Sequence, residues 1–293
     1  MWRVACIANP IFFSRAPESI LEAFKGLGYQ GVSWTLAHAG PDGDGMVRLA
    51  AMTREHGLDV AEWVVQQDLV CREDKERERR IELVRHCIRQ ARRAGDAPVN
   101  VFTGPAAWDP KAPVLGRDIP EGEAWGMVED AFRIWAAEAE REGVNLALEA
   151  VFGMVCRDYY TTRELLSRVD SPRLGVNFDP SHYVLYGNDI PWCVRQWGDR
   201  IFHVHIKDAV GRPGRQGQEF DFPPVGAGAV PWQALLGSLH EVGYKGFLTI
   251  EYEAFRYLAG PLGGDPVEAA RISLQALNRL LETAGISDRT AQT

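Results

Sequence analysis

Residues 173–208 read RLGVNFDPSHYVLYGNDIPWCVRQWGDRIFHVHIKD. Two apolar, β-rich runs, 173–178 and 200–206, flank a helical pattern at 190–197. Strand, helix and strand in so short a span make the unit of a parallel sheet. The runs also carry residues that packing does not need: Asp179 follows the first, and His205 lies near the end of the second. A charged group at such a place costs free energy unless it is paired or binds a metal.

The pattern repeats outward in both directions. Strand-like runs fall near 3–8, 31–36, 58–64, 98–103, 144–149 and 246–251 as well. Helical patterns fall near 17–27, 44–56, 74–94, 121–142, 162–168, 231–242 and 266–284. Asp74 is the expected start of one helix, and Thr161 with Glu164 has capping-box spacing for another. Eight strands alternating with eight helices in 293 residues predict an α/β fold, a single (β/α)8 TIM barrel. A doubly wound open sheet is disfavoured, because ANPIFFSRAP follows strand one where a Gly-rich nucleotide loop would stand. We expect the barrel over 1–285 and a frayed tail over 286–293. The Gly- and Pro-rich segment 209–229 follows strand seven and is expected to be a lid or substrate loop.

Composition removes several function classes. No run reaches the roughly 18 to 20 apolar residues of a membrane span. The N-terminal MWRVACIANP has no signal-peptide pattern, and the five scattered cysteines suggest reduced thiols, so the expected compartment is the cytoplasm. The net charge of −8 argues against a polyanionic partner. The charged helix at 73–93 mixes acids with bases and reads as a solvated face, not a nucleic-acid surface.

Chemistry concentrates at four successive strand ends. Glu149 stands in NLALEAVF, Asp179 in LGVNFDPSH, His205 in FHVHIKD and Glu251 in GFLTIEYE. In a barrel these ends converge on one side of one mouth. Two Glu, one Asp and one His suit a single divalent ion, with Mn the first expectation and Mg, Co or Zn the alternatives. His203, His205 and Lys207 alternate and so should all face the barrel interior. His203 is expected to support a ligand or to donate a hydrogen bond to substrate. Lys207 is expected to hold an oxyanion or to pair with Asp179 or Glu251. Trp34, Trp108 and Phe152 stand near strand ends, where aromatic walls suit a sugar face or a flat aglycone. Ordinary barrel packing is the competing reading for each of them.

NFDPSHYVLYGND, GDRIFHVHIKDA and GYKGFLTIEYE resemble the sugar phosphate isomerase/epimerase superfamily of xylose isomerase-like barrels. That group includes ketose 3-epimerases, hydroxypyruvate isomerases, inosose dehydratases and, more distantly, the endonuclease IV nucleases. The likeness is clearest over 144–253. It implies that Glu149, Asp179, His205 and Glu251 are the metal ligands and that Glu149 and Glu251 also move the protons. The implied reaction is proton abstraction next to a metal-bound carbonyl, through an enediolate. The resemblance makes His182 a substrate contact, with a hydrogen bond to a ligand as its alternative. Arg212 matches an Arg placed on substrate oxygens, and Arg215 competes for that role.

One position departs from the pattern. Ketose 3-epimerases of this kind usually carry a second Glu six residues after the strand-five ligand, where this chain has Val155. The first expectation is a metal-dependent isomerase or epimerase of a small sugar or polyol. The alternative is a dehydratase or lyase on a keto sugar, 3-keto glycoside or inosose, and a lesser one is a non-catalytic sugar-binding barrel. A three-metal nuclease lacks its extra histidines on the earlier strands. A homo-oligomer stays open.

Overall fold

Alternation along each strand sorts side chains between the inside of a ring and the layer beneath the helices. The computed structural model describes residues 2–40 and 43–285, so the expected tail lies outside the described residues. Among them, eight parallel strands form the ring: β1 Val4–Ala8, β2 Gly31–Thr35, β3 Asp59–Val64, β4 Val99–Val101, β5 Leu146–Glu149, β6 Leu174–Phe178, β7 Ile201–Ile206 and β8 Leu248–Ile250. Each strand pairs with its neighbours in sequence, and β8 closes on β1. Every one lies inside the run expected for it.

Eight helices cover the ring: α1 Pro17–Leu27, α2 Gly45–Glu55, α3 Asp74–Ala94, α4 Glu121–Glu142, α5 Tyr159–Val169, α6 Ile190–Trp197, α7 Trp232–Glu241 and α8 Pro266–Thr283. Short helices at Leu36–Ala39, Pro180–Leu185 and Phe255–Ala259 lie in strand-end loops and escaped the sequence reading. Helix α3 shows why a charged sequence still docks. Val84, Cys87, Ile88 and Ala91 make its buried stripe, while Glu76 pairs with Arg79 and Arg80 on the wet side. Helix α3 starts at the expected Asp74, with Glu73 at its N-cap position and no side-chain cap hydrogen bond, whereas the capping box of α5 joins Asp158 to Thr161 instead of Thr161 to Glu164. The Asp158 carboxylate accepts from Thr161 N at 2.9 Å, so the helix begins before Thr161.

Parity separates two kinds of interior. Val99, Val101, Leu146, Leu148, Leu174, Val176, Val204, Ile206, Leu248 and Ile250 belong to the apolar core under the helices. The alternate residues Asn100, Asn177, His203, His205 and Thr249 are buried and polar. The barrel centre is therefore a hydrogen-bonded column where branched apolar layers usually sit.

The segment after β7 is anchored at its root. Asp208, fully buried, accepts hydrogen bonds from the backbone N–H groups of Ala209, Gly226, Gly228 and Val230 and from Trp232 Nε1, all at 2.9–3.0 Å. Between these anchors Val210–Gly211 and Phe220–Asp221 pair as an antiparallel ribbon. Among the described residues no helix is long and apolar enough to cross a membrane.

Candidate metal centre and active-site cleft

Asp179 follows β6 directly and caps the Pro180–Leu185 helix. Its Oδ1 accepts from Ser181 N at 2.9 Å, which turns Oδ2 toward the barrel axis. Glu149 ends β5, His205 lies on β7 and Glu251 follows β8. One ligand atom from each of these four residues lies within 4.8 Å of the other three. His205 Nδ1 is 3.5 Å from Glu149 Oε1 and 3.6 Å from Glu251 Oε2. Glu149 Oε2 accepts from Asn100 Nδ2 at 2.9 Å and from Gln66 Nε2 at 3.2 Å, so Oε1 is the atom turned to the group.

Glu62 on β3, which sequence reading passed over, reaches this group from across the ring. Its Oε2 lies 2.9 Å from His205 Nε2 and 3.6 Å from His203 Nε2. Strands β3 and β7 are four places apart in the ring, so the contact runs through the barrel centre. With a divalent ion bound, a proton kept on His205 Nε2 and shared with Glu62 would leave the Nδ1 lone pair for the ion. That is the usual way a carboxylate fixes a ligating imidazole. A glutamate inside the apolar run DVAEWVV was the available signal. Its partner became visible only once the ring was closed.

Electrostatics single out the same place. Burial opposes charge on His205, but the carboxylates of Glu62, Glu149 and Glu251 outweigh it and raise its pKa well above the usual imidazole value. Burial lowers His182 to about 3, with the Lys207 charge adding to the effect, and lowers His203 to about 4. Both rings are thus neutral near pH 7. Burial likewise opposes charge on Lys207, yet Asp179, Glu251 and Glu253 hold its pKa well above normal. Lys207 Nζ lies 2.9 Å from Asp179 Oδ2 and 3.0 Å from Glu253 Oε2, and it also contacts Glu251 Oε2.

The donor set fits a divalent cation. The carboxylates of Glu62, Glu149, Asp179 and Glu251 surround two cationic groups, the His205 ring and the Lys207 ammonium, so negative charge remains in excess and a divalent ion would offset it. All-oxygen and imidazole donors suit Mn, Mg, Co and Zn alike.

Above the group opens a cleft of about 410 Å³, with Glu149, His182, Lys207 and Glu251 among its lining residues. His182 Nε2 lies 3.4 Å from Asp179 Oδ2, 3.7 Å from Glu149 Oε1 and 3.2 Å from Lys207 Nζ, which joins its two expected readings in one place. Phe152 and Trp108 line the cleft, and Gln66, Gln67 and Glu253 join them unforeseen.

Other expected substrate contacts lie elsewhere. Trp34 is fully buried and donates from Nε1 to Thr53 Oγ1 of α2 at 2.9 Å, so its ring packs between sheet and helix. His203 faces inward but one interior layer deeper than His205. It contacts Thr249 Oγ1 at 2.8 Å and lines a recess with Arg3 and Asp59 at the opposite end of the barrel. Arg212 and Arg215 are exposed on the ribbon segment and do not line the cleft. The Gly- and Pro-rich run let the backbone turn there and carried both side chains outward. Val155 is buried in the apolar core.

Known proteins resemble this chain to different degrees. The rhizopine catabolism protein MocC of Rhizobium meliloti is 29% identical over 187 residues, covering 60% of this chain and 55% of the relative. An inosose dehydratase of Klebsiella pneumoniae subsp. pneumoniae is 26% identical over 190 residues, covering 59% of this chain and 60% of the relative. The chain thus spans 55% to 60% of the length of these relatives. The fold is similar to that of the 3-keto-D-glucoside 4-epimerase YcjR of E. coli, with a TM-score of 0.72 at 18% identity over 95% of this chain and 100% of that one. Residues 21–280 match the family described as Xylose isomerase-like TIM barrel, and the chain belongs to that family.

Proposed function

We propose that the protein is a divalent-metal-dependent isomerase or epimerase of a small sugar or polyol. The observation that carries this reading is the convergence of Glu149 and Glu251, from β5 and from the end of β8, on the point shared with Asp179 and His205 at the floor of the cleft. Glu149, Asp179, His205 and Glu251 would hold a divalent cation, which would supply Lewis acidity beside the substrate carbonyl.

The chain's own residues do the rest. One of the two glutamates takes the proton from the carbon beside the substrate carbonyl. The other returns a proton, either to the same carbon from the opposite face, which epimerises it, or to the neighbouring carbon while the hydroxyl proton moves to the former carbonyl oxygen, which isomerises the sugar. Glu149 Oε2 is held by Asn100 and Gln66, so its other oxygen is aimed while the first stays satisfied. Lys207 opposes the negative charge that develops on substrate oxygen. His182, neutral and 2% exposed, offers a directed hydrogen bond beside it.

A second reading has its own support. Val155 puts a buried apolar side chain where ketose 3-epimerases usually carry a glutamate, and an inosose dehydratase is a relative at 26% identity. Dehydration begins with the same proton removal and then expels a leaving group from the next carbon.

Solvent exchange tests the shared step. A panel of keto sugars and keto polyols incubated in D2O with Mn-loaded protein should take up deuterium beside the carbonyl. Glu149→Gln and Glu251→Gln should each slow uptake by about 10²- to 10⁴-fold. Wild-type exchange rates in both variants would overturn the two-carboxylate mechanism. A retained double bond in the product would select the dehydratase.

A further inference from the structure

Three exposed aromatic side chains, from three different loops, stand around one opening. Phe13 after β1, Trp108 after β4 and Phe255 after β8 are 48%, 53% and 40% exposed, and all three line the cleft that holds Glu149 and Glu251. Large apolar groups left in water and gathered at one place mark a binding surface. The apolar wall continues inward from the rim. Trp108 stands 5.6 Å from Phe102 and 6.3 Å from Phe152 between ring centres, and Phe152 packs on Phe220 of the ribbon at 4.7 Å. Lys207 Nζ lies 4.7 Å from the ring centre of Phe222, so the wall ends at the charged floor.

Charge supplies an independent observation. Among the described residues that line the cleft, Lys207 is the only lysine or arginine, and Asp179, Glu251 and Glu253 already engage its ammonium. Arg212 and Arg215 point away. A phosphate ester carries nearly two negative charges and is bound by free Arg, Lys or backbone N–H clusters. Among the described lining residues no arginine and no unengaged lysine stands ready for it. Asn9, Gln66, Gln67 and Gln216, which also line the cleft, are neutral donors and acceptors suited to hydroxyl groups. The volume of about 410 Å³ falls within the range of sites that enclose drug-sized molecules.

We infer that the substrate is an unphosphorylated keto sugar or keto polyol bearing an aromatic or comparably apolar substituent. Its carbonyl end sits at Glu149 and Glu251, and its substituent lies toward Phe13, Trp108 and Phe255. The placement of the carbonyl rests on the proton-transfer reading above; the apolar outer subsite does not.

Calorimetric titration of the Mn-loaded protein separates these points. The probes are the methyl and phenyl β-D-glucopyranosides oxidised to the ketone at C3, together with ribulose and ribulose 5-phosphate. The phenyl glycoside should bind about tenfold or more tightly than the methyl one. That preference should fall to near unity in Trp108→Ala and in the Phe13→Ala/Phe255→Ala double variant. All three positions are surface exposed, and circular dichroism checks that the variants fold. Ribulose 5-phosphate should bind no better than ribulose. Equal affinity for the phenyl and methyl glycosides, a preference that survives in both variants, or tighter binding of the phosphate would each overturn the inference. A phenyl preference in a protein that catalyses no deuterium exchange would leave the substrate shape standing and remove the proton-transfer reading. Exchange on plain ketoses without a phenyl preference would do the reverse.

Discussion

Glu138 and Glu149 are both buried glutamates, with side chains 1% and 2% exposed, and they are satisfied in opposite ways. Glu138 lies on α4 and is clamped by Arg85 and Arg89 at 3.0 Å each, with Arg141 as a third partner. Glu149 has amides from Asn100 and Gln66, two imidazoles nearby, and other carboxylates around it. Three arginines bear directly on the first acid and cancel its charge. The second is held in place by neutral donors while its charge is left for something that enters the cleft. A buried carboxylate with its own arginines is part of the architecture, and one held by amides at a single oxygen keeps the other oxygen for a ligand.

The strongest test of that contrast removes a ligand at the mouth. Asp179→Ala should abolish retention of a divalent ion through gel filtration, read by elemental analysis, while Glu138→Gln should leave the metal content unchanged. Equal metal content in the two variants would erase the distinction. Next in size is Glu62. Glu62→Gln should weaken Mn or Co affinity by about 10- to 100-fold, because the His205 ring loses the carboxylate that orients it. The visible spectrum of the Co-loaded variant should shift as well, which a general loss of stability would not cause. Unchanged affinity and spectrum would reduce Glu62 to a packing group.

Third is the architectural acid itself. Burial opposes charge on Glu138, but hydrogen bonds and charge from Arg89, Arg85 and Arg141 win and lower its pKa. Its stabilisation should therefore be complete above the unfolded carboxyl value of about 4.3 and lost as pH falls through the lower folded value. Urea unfolding should place Glu138→Gln about 1–2 kcal/mol below wild type at pH 7, allowing for the partial exposure of the arginines. The gap should close below about pH 4. A gap that stays constant down to pH 2 would show that the carboxylate charge is not what stabilises α4. The smallest effect belongs to Trp34→Phe, which loses the hydrogen bond to Thr53. It should cost about 1 kcal/mol in unfolding and leave ligand affinity unchanged. A change in ligand affinity would return Trp34 to the cleft.

What the sequence could reveal follows from how local each signal is. The strands were legible because each is a short apolar run bounded by turns, and because barrel closure repeats one local unit. Glu149, Asp179, His205 and Glu251 were legible because a charge at the end of an apolar strand is locally anomalous. Glu62 was not, since its meaning depends on a strand that sits opposite it only after the ring closes. Trp34 shows the converse. Its place at the end of β2 suggested the mouth, but the strand's pleat sent the ring outward to Thr53. In 209–229 the Gly and Pro residues showed that the chain turns. They did not show that Asp208 would gather the turn or which way Arg212 would face.

Asp208 gathers the loop from both sides, joining Ala209 to Gly226, Gly228, Val230 and Trp232 through one carboxylate. Gly228 sits so close that a Cβ there would lie 2.1 Å from Asp208 Oδ1. The loop is thus a cassette with a fixed socket. Residues between the anchors, which bring Gln216, Phe220 and Phe222 to or beneath the cleft, can be lengthened, shortened or exchanged without disturbing β7 or α7. A lineage of such barrels can change the wall of the cleft by rewriting the ribbon while its socket on Asp208 stays in place.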